Sequence, residues 1–109
     1  MTGKEYLNQI KKINTQMKNK NYELKELKES GLPYGFLEDS ITKLDIEKRK
    51  IIRNIERLPE AEYDVLHKVY VQHKTLQEVA ADRGISYSLA ATIHGRALKR
   101  LETVINSEE

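Results

Sequence analysis

Two long stretches with helical apolar spacing, separated by one strong break, restrict this chain more than any other feature. The break is the segment 31–35, with Pro33 between two glycines. On either side of it, apolar residues recur at steps of three or four, which places them on one face of an α-helix. Those residues are Leu7, Ile10, Ile13, Met17, Leu24 and Leu27, then Leu37, Ile41, Leu44, Ile51, Ile55 and Leu58. The pattern predicts an antiparallel helical hairpin over residues 1–57.

The predicted ends of the two arms follow from local backbone chemistry. Thr2 is expected to cap the first helix, with Glu5 three residues later completing a capping box. Gly31 suits the left-handed position that ends a helix, and Pro33 cannot continue the hydrogen-bond ladder. The second arm should end at Leu58, because the residue before a proline disfavours helical angles.

Folding the arms at Pro33 predicts a register in which Ile10 lies near Leu58 and Lys20 shares a layer with Lys48. Either both lysines extend outward along their methylene stems, or the layer is an electropositive gap for an acidic partner residue. A hairpin with one apolar seam buries too little surface to be stable alone. We therefore expect it to pack on the C-terminal half, on another protein or, preferentially, on a second copy as a homodimer.

The C-terminal part, residues 58–109, predicts three shorter helices. Pro59 opens the first of them, with acidic residues in the first turn. Thr75 and Glu78 form a second capping box, and Gly84 closes that helix at a tight turn. Ser86 then caps the last helix. The offsets are those of a helix-turn-helix in an all-α chain.

The residues around this turn have types that suit the motif. Ala80 is small where the next helix crosses, Ile85 fills the angle between the helices, and Ala90 and Ile93 face the core. The outward side of the last helix is then expected to meet base edges in a major groove. The predicted DNA-binding residues are Thr75, Ser86, Tyr87, Ser88, Ala91, Thr92, Arg96, Lys99 and Arg100. For Lys99 and Arg100, a solvated helix face explains the sequence equally well.

The net charge of +2 conceals an asymmetry. Residues 1–57 hold 13 Lys and Arg and 9 Asp and Glu, whereas residues 58–109 hold 6 and 8. The half that resembles a DNA reader is therefore acidic, which disfavours strong DNA affinity of its own. The densest basic stretch is 43–57, where a solvated face is preferred to phosphate contact.

The chain has no cysteine, which excludes disulfides and thiolate zinc sites. Neither a signal peptide nor a membrane span is predicted, and we expect the protein in the cytoplasm of a bacterial host cell. The three histidines lie on different predicted helices without acidic residues at ligand spacing. No phosphate-binding glycine loop or nucleophile motif occurs. We therefore predict no enzyme, metal site or cofactor.

Four segments carry a resemblance to known proteins. The stretches 58–60, 75–80 and 93–101 are similar to region 4 of sigma factors. Residues 2–7 and 94–98 resemble the two ends of phage late-gene transcription regulators of the ArpU/RinA/LtrC type. The sequence departs from sigma region 4 at the start of the reader helix, where Tyr87, Ser88 and Ala91 replace the usual charged residues.

The resemblance implies a sequence-specific DNA-binding transcriptional regulator, with RNA polymerase as a further candidate partner of the hairpin. Two alternatives stay open from the sequence. The first is a DNA-recognition subunit of phage packaging, for which a ring of subunits rather than a dimer is expected. The second is a protein-interaction module, such as an antirepressor or polymerase inhibitor, whose helix-turn-helix does not bind DNA. The acidic C-terminal half favours this second alternative.

Overall fold

The computed structural model describes residues 1–107, and this part of the chain is built from five α-helices without a β-strand. The predicted all-α fold, a helical hairpin followed by three further helices, is confirmed. The α-helices are α1 (Gly3–Ser30), α2 (Gly35–Glu56), α3 (Glu60–Leu66), α4 (Leu76–Arg83) and α5 (Tyr87–Asn106). A π-helical segment, His67–Val71, continues α3.

The predicted caps of α1 are present. The hydroxyl of Thr2 accepts a hydrogen bond from the backbone N–H of Glu5 at 3.1 Å, and the Glu5 carboxylate accepts one from the Thr2 N–H at 3.2 Å. At the other end Gly31 adopts φ 71°, the left-handed conformation that a residue with a Cβ adopts only at a cost. These two local signals define a helix of 28 residues.

The register of the hairpin differs from the prediction by more than one helical turn. The predicted register places Asn54 opposite Asn14, but the Asn54 amide donates a hydrogen bond to the Tyr6 hydroxyl at 2.6 Å. Further along the hairpin, Glu47 lies in one surface groove with Gln9 and Gln16 of α1. The predicted register places Glu47 opposite a position of α1 that is several residues closer to the hairpin tip. Each position of α2 therefore lies nearer the start of α1 than expected.

This shift removes the predicted layer of Lys20 and Lys48, which was wrong. Lys48 is adjacent to Glu47 and so lies at the level of the groove that contains Ile13, whereas Lys20 lies further towards the hairpin tip. A repeat of threes and fours fits almost equally well after a slip of seven residues, so spacing alone does not define the register.

One apolar core joins the hairpin to the C-terminal helices. Its buried members come from α1, α2, α3, α5 and the turn between α2 and α3: Leu7, Ile10, Ile13, Ile51, Ile55, Leu58, Leu66, Ala97 and Leu101. Leu24 and Leu44, nearer the hairpin tip, are only half-buried. The base of the hairpin is thus the well-packed part, and the boundary predicted at residues 57 and 58 runs through a shared core.

The start of α1 lies directly against α5. Gly3 is buried, and its backbone N–H donates to the Glu102 carboxylate at 2.9 Å. A Cβ built on Gly3 would lie 2.6 Å from the backbone oxygen of Leu98, closer than real Cβ atoms come. Only glycine permits this close approach of the two helices.

The connection between α3 and α4 was not predicted in detail. Pro59 is the N-cap of α3 rather than its first helical residue. After α3 the helix widens into the π segment, and His73 then takes φ 59°, the one positive φ of a non-glycine residue within 1–107. His73 is held against α1, where its Nε2 lies 3.4 Å from the Asn14 amide.

Candidate nucleic-acid interface

Helices α4 and α5 form the predicted helix-turn-helix. Thr75 and Glu78 make the capping box that begins α4, and Gly84 ends it at φ 67°. The N–H of Ile85 then bonds back to the carbonyl of Ala80 at 3.0 Å, which tightens the turn. Ala80 and Ala90 are both buried, in keeping with the close crossing of the two helices.

The N-terminal turns of α5 present a neutral outward surface. Ser86 caps the helix by accepting from the Leu89 N–H at 3.1 Å. Tyr87 is 57% exposed, Ser88 and Thr92 are exposed, and Ala91 is half-buried. Because the Thr92 hydroxyl donates to the Ser88 carbonyl at 3.0 Å, its methyl group and the lone pairs of its oxygen are left to meet a ligand.

Leu89 is an apolar residue of α5 that does not face the core, since it is 45% exposed. The reason is angular: the buried residues Ala90, Ala97 and Leu101 define the inner face, and Leu89 lies about 100° away from Ala90. The spacing of the buried alanines, rather than of the larger residues, was the signal for this.

Thr75 lies at the start of α4, where its hydroxyl is engaged within the capping box. It accepts from the Glu78 N–H and donates to the Glu78 carboxylate, both at 3.2 Å. Its exposed position leaves the first turn of α4 open to a ligand, but the hydroxyl has no proton left for one.

Three of the five basic residues near the reader helix are already in ion pairs. Lys74 contacts Asp82 at 2.7 Å, and Arg83 contacts Asp64 at 2.7 Å as well as Glu60. The hydrogen bond that Lys74 donates to the Asp82 carboxylate raises the pKa of Lys74, which keeps this lysine cationic.

The third pair joins Arg100 to Glu62. Arg100 Nε donates to the Glu62 carboxylate at 2.7 Å, and that carboxylate is only 5% exposed. Arg96 and Lys99 make no ion pair within residues 1–107, and both are exposed. Among the predicted site residues, these two are the cations most available to a phosphate.

A histidine of α5 is held on the inner side of the motif. The Tyr70 hydroxyl lies 3.0 Å from His94 Nε2, and the two rings are stacked with centroids 5.7 Å apart. Burial, and secondarily the charge of Lys4, lower the pKa of His94, which favours the neutral imidazole. The contact braces α5 against the π segment.

Asp64 makes the fold sensitive to acid. Burial raises its pKa, but hydrogen bonds from Arg83 and Lys68 outweigh this effect and hold the pKa below its ordinary value of 3.8. A carboxylate with a lowered pKa in the folded state stabilises the fold above its unfolded pKa, and that contribution is lost as the pH falls through the folded value. We expect the urea midpoint to fall below about pH 4 in the parent, and to fall less in an Asp64→Asn variant. Equal acid dependence of both proteins would contradict this role of Asp64.

Within residues 1–107, no group of three or more His, Asp or Glu side chains is placed to hold a metal ion. None of the helices in this part of the chain has the length and apolar character of a membrane span.

Comparison with known families supports the helix-turn-helix. The family model for sigma-70, region 4, matches residues 55–103, which comprise the end of α2, all of α3 and α4, the turn between α4 and α5, and most of α5. Comparisons with curated proteins and with solved structures give no match. Over these residues, less than half of the chain, the protein is similar to sigma-70 region 4, a DNA-binding helix-turn-helix.

Proposed function

We propose that this protein is a sequence-specific transcriptional regulator that inserts the start of α5 into the major groove of double-stranded DNA. The observation that carries the proposal is the outward surface of α5, exposed at Tyr87, Ser88 and Thr92 within a helix-turn-helix similar to sigma-70 region 4. A helix presented in this way by such a motif reads bases with its first turns.

The chemistry of this surface indicates how it would read DNA. Tyr87, Leu89 and the Thr92 methyl group suit contact with thymine methyls, and Ser88 can bond to a base edge or a phosphate. No Arg or Lys lies in the first two turns to bond a guanine bidentately. Arg96 and Lys99, one to two turns later, would hold phosphates. We therefore expect preference for A·T-containing sites with modest discrimination.

Alanine substitution of the reader residues tests the proposal. Tyr87→Ala and Thr92→Ala should each weaken binding to a selected DNA site by about 1–3 kcal/mol, because each removes a base contact. Site selection from a random duplex library, followed by fluorescence anisotropy with the selected site, measures this. The melting temperature should change little, since both side chains are exposed.

Glu78→Gln provides a matched control at an exposed residue, since it keeps the capping box. It should leave the site preference intact. If the library yields no enriched site, or if both alanine variants bind the selected site as tightly as the parent does, the assignment of α5 to the groove is wrong.

The remaining elements of the proposal concern the hairpin. Its partners are proposed to be a second copy of the chain and RNA polymerase, and its targets the late genes of a phage. Support comes from the resemblance at residues 2–7 and 94–98, and from the exposed apolar residues Leu32 and Phe36 at the hairpin tip. We also propose residues 1–57 and 58–109 as functional units, although they share one core.

A protein-interaction module is the second candidate. The ion pairs of Lys74, Arg83 and Arg100 reduce the positive charge near the reader helix. In addition, Leu89 is an exposed apolar side chain near the start of α5 that suits a protein groove. Failure of the library selection, combined with capture of the host RNA polymerase by the parent but not by a Leu89→Ser variant, would favour this candidate.

A further inference from the structure

Helix α1 carries a row of lysines on one side. Lys4, Lys11, Lys18 and Lys25 are spaced seven residues apart, so they lie almost in line along the helix. All four are exposed, and none makes an ion pair within residues 1–107. We call the surface formed by these four residues and the polar residues between them the lysine face.

The residues between the lysines are uncharged and able to form hydrogen bonds. They are Asn8, Asn14, Thr15, Asn21 and Tyr22. From Lys4 to Lys25 the lysine face contains no carboxylate: Glu5 and Glu23 lie on another side of α1, and the acidic residues on this side, Glu26 and Glu29, follow Lys25. Lysines interspersed with Asn, Thr and Tyr are typical of surfaces that bind nucleic-acid phosphates.

The fold brings the lysine face beside the helix-turn-helix. Lys11 lines a cleft together with Tyr70, His73 and Lys74, and Lys18 lines an adjoining cleft with His73. The Asn14 amide lies 3.4 Å from His73 Nε2 and holds the two elements together. His73 and Lys74 immediately precede Thr75, the cap of α4. The lysine face is therefore continuous with the start of α4, the helix that crosses the DNA backbone in this motif.

Charge balance also requires a contribution from outside the C-terminal helices. Residues 58–109 have more acidic than basic residues, and three of the basic residues near α5 are paired. Binding to DNA at physiological salt depends on neutralising several phosphates. The lysine face offers four unpaired cations about 10 Å apart, which is near the axial rise of three nucleotides on one strand.

We infer, on the basis of the proposed function, that the lysine face of α1 binds the phosphate backbone of the DNA segment next to the one that α5 reads. Helix α1 then acts as a second contact that supplies affinity without sequence preference. The side of the molecule on which α1 lies determines which flank of the DNA site is covered. A protected flank on the α4 side, longer than a single helix-turn-helix covers, is the expected footprint.

The test measures the salt dependence of binding to a mixed-sequence duplex of about 30 base pairs, longer than a typical site. Lys11→Gln with Lys18→Gln should reduce the slope of log K against log salt by about 2, and weaken binding on the order of tenfold at low salt. The charge-preserving pair Lys11→Arg with Lys18→Arg should bind like the parent. Lys43→Gln with Lys50→Gln removes the same charge from exposed lysines of α2 and should change the slope much less.

The outcomes separate this inference from the proposed function. If the parent binds no duplex, both the inference about the lysine face and the proposed function are wrong. If the parent binds DNA and Tyr87→Ala abolishes site preference while the Lys11/Lys18 variant keeps the parent slope, only the role of the lysine face is overturned. Equal losses in the α1 and α2 variants would also overturn it, since they would reflect general charge alone. The Gln and Arg variants must melt like the parent, as expected for exposed positions.

Discussion

Replacing Gly3 with Ala is expected to lower the free energy of unfolding by about 3 kcal/mol, through overpacking and a lost hydrogen bond to a carboxylate. The added Cβ would lie 2.6 Å from the Leu98 oxygen, and this atom belongs to the backbone of α5. No side-chain rotation can relieve the contact, so α1 must move away. That movement breaks the bond from the Gly3 N–H to Glu102. Urea unfolding followed by far-UV circular dichroism measures the change.

Gly95→Ala is the matched control, in the middle of α5. A Cβ at Gly95 meets no atom within 4 Å, and Ala forms helix more readily than Gly. This variant should be more stable than the parent, by up to about 1 kcal/mol. A Gly3→Ala variant as stable as the parent would mean that α1 does not approach α5 as closely as described.

Replacing Arg100 with Ala is expected to cost about 3 kcal/mol of stability, at the lower end for a broken buried ion pair because Arg100 itself is half-exposed. The change leaves the carboxylate of Glu62, which is 5% exposed, without its 2.7 Å partner. Lys99→Ala, at the neighbouring exposed residue, removes the same charge and should change stability by less than about 0.5 kcal/mol. Chemical unfolding of both variants gives the comparison.

A double variant shows whether the loss of stability comes from the carboxylate of Glu62 that is left without its partner. Arg100→Met with Glu62→Leu replaces the pair by apolar side chains of similar size, which is often neutral or stabilising. It should recover most of the stability that Arg100→Ala loses. If it does not, packing of the Arg100 stem rather than its charge holds α5 against α3. The comparison also shows how far weaker DNA binding of an Arg100 variant reflects a damaged fold.

The features that the sequence predicts well are local ones. The capping boxes at Thr2 and Thr75 and the left-handed turns at Gly31 and Gly84 each depend on a few consecutive residues. At each such position one backbone conformation has the lowest energy, and the residue types at that position indicate it directly. The outward placement of Tyr87 and Thr92 follows from the cap at Ser86, because a cap sets the phase of the helix that it begins.

The features that the sequence does not predict depend on long-range packing. The hairpin register was wrong because its apolar repeat is nearly unchanged by a slip of seven residues. The bond between Asn54 and Tyr6, and the pairing of Arg100 with Glu62, join residues 48 and 38 positions apart. Neither has a local signature. The predicted DNA contact of Arg100 is untested, and its pairing with Glu62 is the kind of competing interaction that a linear pattern cannot show.

The bond between Gly3 and Glu102 has a consequence for the order in which the protein forms during synthesis. These two residues are 99 positions apart, so α1 emerges from the ribosome long before its partner in α5 exists. Until then the hairpin lacks much of the surface against which Leu7 and Ile10 are buried, and its apolar base remains exposed to chaperones and to other nascent chains. Completion of the core must await release of the last helix, because contacts that close so long a loop form late. Premature termination within α5 should therefore yield a product that is degraded rather than a shorter working protein.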